Sequence, residues 1–96
     1  MKPLELHPLA LAEAEVAAAW YAERDPRVST RFVEELEATL ERIVESPNLW
    51  PKSVDDTRRV PLTLFPYLVH FRDEPTRILV VAIAHAKQNP GYWRGR

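Results

Sequence analysis

The stretch "RILVVAIAH" (residues 77–85) decides the fold. Between Arg77 and His85 it runs seven apolar residues, Ile78 to Ala84, with β-branched side chains in the majority. Such a run is short for a helix, and read with period two it is apolar on both faces, which suits a strand flanked on both sides. It predicts the central strand of a sheet, closed by His85 in phase with Leu79, Val81 and Ile83.

Working outward, "YLVHFR" (67–72) alternates Tyr67, Val69 and Phe71 against Leu68, His70 and Arg72, and "DEPT" (73–76) joins it to the central strand as a hairpin turn with Pro75 pre-setting φ. "TRRVPL" (57–62) opens another strand that Pro61 interrupts. Before it, "SPNLWPKSVDD" (46–56) is rich in turn residues and predicts a connection.

Further upstream the period changes to 3.6. Val28, Phe32, Leu36, Leu40, Ile43 and Val44 form an apolar stripe, with Glu34, Glu37, Glu41 and Glu45 on the opposite side of the same helix. A first helix begins at His7-Pro8, where proline suits the first helical position, and its core face is predicted at Leu9, Ala12, Val16, Ala19 and Trp20. Asp25-Pro26 separates the two helices, because the residue before proline avoids the α region and Asp is a good N-cap. "KPLEL" (2–6) predicts an edge strand. The order is β-α-α-β-β-β: an α+β fold, a helical hairpin on one face of a small, mostly antiparallel sheet, with residues 1–96 as a single domain.

A chain of 96 residues with no cysteine excludes a disulfide framework, a thiolate zinc site and a cysteine nucleophile, and makes an intracellular (cytoplasmic) location the default. Glu5, Glu13 and Glu15 interrupt the apolar N-terminal runs before they reach signal-peptide length, and no segment has the ~20 uncharged residues of a membrane span. No membrane partner is expected. Residues 1–50 carry five basic and ten acidic side chains, whereas residues 51–96 carry eight and four, so a net charge of −1 conceals a basic C-terminal half. That half suits an acidic partner. The acidic helix face would repel nucleic acid, which directs any such contact to the sheet or the chain end.

The only glycines, Gly91 and Gly95, cannot build a phosphate-cradling loop, and the three histidines lack ligand spacing, so neither cofactor nor metal is expected. Arg58 and Arg59 are strand neighbours, so one of them faces away from the helices. Arg72 shares a strand face with Leu68 and His70 and reads either as a contact or as a solvated strand end. His85 reads either as a hydrogen-bonded rim residue or as a general base or contact. After it, Lys87, Gln88, Asn89, Tyr92, Trp93, Arg94 and Arg96 combine donors, aromatic faces and positive charge, a composition suited to phosphate, base stacking or an acidic protein surface. The alternative is that Tyr92 and Trp93 pack back on the sheet as a lid.

Taken together, "WYAERDPRVSTRFVEELEATLERIVESP" (20–47), "TRRVPL" (57–62), "FPYLVHFR" (65–72) and "ILVVAIAHAKQNPGYWRGR" (78–96) resemble the RelE/ParE superfamily of type II toxin-antitoxin toxins. The resemblance implies a toxin neutralised by a cognate antitoxin, in a toxin-antitoxin hetero-oligomer. It also implies one of two targets: RelE-like members cleave mRNA on the ribosome, while ParE-like members poison DNA gyrase and need no hydrolytic site. For cleavage, His85 or Tyr92 would move protons, and Arg58, Arg59, Arg72 or Lys87 would hold charge. That set is thin, and a pI near 6.3 departs from the strongly basic RelE-like nucleases. The ParE-like reading is favoured, with Arg58, Arg59, Arg72, His85, Lys87, Tyr92, Trp93, Arg94 and Arg96 as the target-binding residues. A RelE-like endoribonuclease and a degenerate, non-toxic member stay as alternatives.

Overall fold

The computed structural model describes residues 1–96. Strand β1 (Leu4–Leu6) leads into helices α1 (Pro8–Arg24) and α2 (Pro26–Glu45), two 3-10 turns (Pro47–Leu49 and Val54–Asp56), and strands β2 (Arg58–Pro61), β3 (Tyr67–Asp73) and β4 (Ile78–His85). The strands form one sheet in the order β1-β4-β3-β2, with β1 parallel to β4 and the other pairs antiparallel. β4 is central and β1 is an edge, as their apolar patterns require.

Local chemistry sets the helix ends. His7 Nδ1 accepts from the Leu9 amide at the start of α1, with Pro8 in the first turn. Asp25 is extended, at φ −160° and ψ 111°, and its carboxylate accepts from the Arg27 amide at 2.9 Å, so one residue both ends α1 and caps α2. Ser29 Oγ, donating to the Ala18 carbonyl at 2.7 Å, ties the two helices together. Ser46-Pro47 stops α2, and Glu74 N donating to the Arg77 carbonyl closes the turn between β3 and β4.

The main core lies between the helices and the sheet. Phe32, Leu36 and Ile43 of α2 meet Val60, Val69, Phe71, Ile78, Val80 and Ile83 from the strands. The α2 stripe is the predicted one, and its glutamates Glu34, Glu37, Glu41 and Glu45 face solvent. For α1 the predicted face is wrong: Leu9, Ala12, Val16, Ala19 and Trp20 are all exposed, Val16 by 70%. The buried residues are Ala10 and Ala17, with Ala14, Ala18 and Tyr21 packed beside them. Small side chains let the α1 backbone approach β4 closely, and α1 is apolar enough all round to offer two faces with helical spacing.

The phase of β4 also departs from the predicted alternation. The β3–β4 register shifts between His70 and Phe71, pairing His70 with Ala82 and Phe71 with Val80. This bulge leaves Val81 unopposed and turns both Val81 and Ala82 to the face away from the helices, where they join Leu79, while Ile83 returns to the helical side. Ile83 is therefore out of phase with Leu79 and Val81. No helix is long and apolar enough to cross a membrane.

Candidate functional site

The sheet face that the helices leave free is closed by residues 86–96. Trp93, 2% exposed, packs on Leu79, Val81 and Ala82, and stacks on His70 of β3 with ring centroids 3.7 Å apart. The aromatic pair is thus built into the sheet, the lid alternative named above. Gly91, at φ +83°, permits the turn that brings Trp93 in, a conformation side-chain-bearing residues avoid.

The basic side chains divide by what they touch. Arg72 Nη1 donates to the Arg96 main-chain oxygen at 2.7 Å and its Nη2 to Asp55 Oδ2 at 2.8 Å. Arg96 donates to Glu13 Oε1 at 3.1 Å and to the Val81 carbonyl at 3.0 Å. Arg58 donates to the Trp50 carbonyl at 2.7 Å. These three hold the structure together. Of the Arg58-Arg59 pair, Arg59 is opposite His70 in register and faces away from the helices, exposed and without an ion pair. Lys87 and Arg94 are likewise exposed.

Glu13 of α1 is a hub whose role the sequence reading missed. Its carboxylate accepts from the Ile83 amide at 2.9 Å, the Tyr92 hydroxyl at 2.7 Å and Arg96, joining α1 to β4 and to the chain end. An acid set among the alanines of the buried face was the available signal. Burial first, and the bond to Glu13 second, push the Tyr92 hydroxyl well above the usual tyrosine range, so it stays protonated.

His70 carries a pKa lowered from 6.5 to about 4, by burial foremost and then by the charge of Arg59, so it is neutral at physiological pH. His85 ends β4 edge-on to Tyr67, with centroids 5.2 Å apart, and its Nδ1 accepts from the Lys87 amide at 3.1 Å. Of the residues named for a nuclease, His85 and Arg59 border one cleft, whereas Tyr92 is held by Glu13 and Arg58 lines a separate hollow with Lys52, Asp56 and Asp73.

On the other side of β4 the exposed face of α1 borders two adjoining hollows. Leu9, Ala12, Val16 and Trp20 form one wall, and Tyr67, His85 and Gln88 the other. No other element of the chain covers these apolar side chains, and Val16 is 70% exposed.

A solved structure described as a chromosomal ParDE TA system from P. aeruginosa is similar to this chain, with a TM-score of 0.71 and 18% identity over 88% of this chain and 96% of that one. At that identity the likeness is one of fold. No curated protein matches the sequence. The family model for the ParE toxin of the type II toxin-antitoxin system, parDE, matches residues 4–90, which include both helices, all four strands and His85. The chain belongs to the ParE toxin family of type II toxin-antitoxin systems.

Proposed function

We propose that residues 1–96 form one toxin domain that arrests growth in the cytoplasm by binding a protein target, DNA gyrase being the target the family resemblance implies. A cognate antitoxin neutralises it by covering the exposed face of α1, in a toxin-antitoxin hetero-oligomer. The observation that carries the target reading is the bond from Tyr92 to Glu13: one of the two groups named for proton transfer is committed to a structural carboxylate. A contact surface needs only exposed side chains of suitable charge, and Arg59, Lys87 and Arg94 supply them.

Induced expression in a susceptible host tests the reading. Filamentation with a DNA-damage response is the expected outcome. Rapid translation arrest with cleaved mRNA would replace this reading by the endoribonuclease one, and a folded chain that causes no growth defect would overturn both.

A further inference from the structure

The sheet face remote from the helices holds a cleft of about 130 Å³ between β2, β3, the end of β4 and the closing segment. Ser53, Arg59, Leu68, His70, Gln88 and Trp93 contribute to its lining. Its arginine, Arg59, forms no ion pair. Arg72, Arg77 and Arg96 pair with Asp55, Glu74 and Glu13 respectively, but no acid accompanies Arg59. The imidazole of His70 is neutral and adds no charge to that of Arg59. His70 Nδ1 and Trp93 Nε1, both in side chains that form the walls, are buried with no hydrogen-bond partner in the chain. An unpaired indole N–H leaves the positive end of a bond dipole in a medium that screens it poorly.

We infer that this cleft is a carboxylate site that takes one aspartate or glutamate side chain of the protein target. A guanidinium presents a planar fork matched to a carboxylate, and the aromatic floor of Trp93 and His70 lowers the local dielectric and strengthens the pair. The volume suits one small oxyanion. A nucleic-acid strand would need a row of free cations to follow its phosphates, whereas Arg59 is the one arginine or lysine in the cleft lining, Arg58, Arg72 and Arg96 being engaged inside the protein. The inference rests on the protein-target reading for the source of the carboxylate; the chemistry of the cleft stands on its own residues.

Acetate titrated into the isolated chain, with chloride at matched ionic strength as the control, tests the cleft by NMR. The expected result is a saturable shift of the Trp93 indole N–H and the His70 ring resonances, with a Kd in roughly the millimolar range. Arg59→Gln weakens that binding at least tenfold, and Arg31→Gln, on the exposed side of α2, leaves it unchanged. Absence of a saturable shift, or one that persists in Arg59→Gln, overturns the site. If a short single-stranded RNA shifts the same resonances with a salt dependence of several charges, the carboxylate assignment is overturned in favour of phosphate. In cells, Arg59→Gln relieves growth arrest. Acetate binding combined with undiminished arrest in that variant overturns the target assignment alone, whereas failure of the toxin reading shows separately, as no arrest by the parent chain.

Discussion

Trp93 lies on His70 with their ring planes tilted by 26°, so the end of the chain forms part of the sheet's second core. A composition of aromatics and arginines that suits an exposed contact surface is, for Trp93, Tyr92 and Arg96, mostly internal architecture. In the proposed function the contact role therefore goes to the side chains that this packing leaves outside, Arg59, Lys87 and Arg94.

Trp93→Ala should therefore act first on stability. Deleting a buried tryptophan costs about 3–5 kcal/mol, much of the 5–15 kcal/mol typical of a domain. Trp93→Phe should lose less than half of that, because a ring still stacks on His70. Urea unfolding measures both, and equal losses would show that stacking contributes nothing. Truncation after Lys87 bares Leu79, Val81 and Ala82 as well, so a loss of toxicity on truncation reads as unfolding unless folding is checked.

The depressed pKa of His70 makes stability depend on pH. Between about 4 and 6.5 the unfolded chain binds a proton that the folded chain refuses, so stability is complete above pH 6.5 and falls as pH drops toward 4. The contribution is on the order of 3 kcal/mol. In His70→Gln this part of the slope disappears while the carboxylate part remains. Melting temperatures of both chains from pH 4 to 7 measure it, and parallel curves would refute the assignment.

Glu13 and Tyr92 should show coupling in a double-mutant cycle. Tyr92→Phe removes one bond to a charged acceptor, and Glu13→Gln removes the charge that the Ile83 amide, Tyr92 and Arg96 share. A coupling energy of about 1–2 kcal/mol is expected from denaturant unfolding. Additive losses would mean that the hydroxyl and the carboxylate stabilise the fold independently.

On α1, Val16→Glu should leave stability within about 0.5 kcal/mol, because the side chain is 70% exposed. Antitoxin affinity should fall at least tenfold, or about 1.4 kcal/mol, since a carboxylate would be buried against an apolar partner. Calorimetry with the purified antitoxin decides, and unchanged affinity would place the antitoxin elsewhere.

Much of the fold is legible in the residues. The Asp25-Pro26 break, the α2 stripe from Phe32 to Ile43, the proline-limited β2 and the apolar run of β4 each carry a local rule strong enough to locate an element. The face of α1 is not legible in the same way. Ala10, Ala14 and Ala17 compete with Leu9, Val16 and Trp20 at equivalent spacing, and larger side chains score higher on any hydrophobic reading. The winner depends on how near the helix must come to β4. The division of the arginines also lies beyond sequence, because Arg72 differs from Arg59 in meeting two partners distant in the chain, the Asp55 carboxylate and the Arg96 main-chain oxygen.

By itself the sequence determined the order of elements, the central place of residues 78–85 and the family resemblance, because periodicity and proline positions act over a few neighbouring residues. Only the tertiary structure decided which α1 face is free, where the β4 bulge turns Ala82, and that Trp93 is core while Arg59 is exposed. Those outcomes rest on packing and on pairs such as Glu13 with Arg96, far apart in the chain, whose stability arises only once the layers meet.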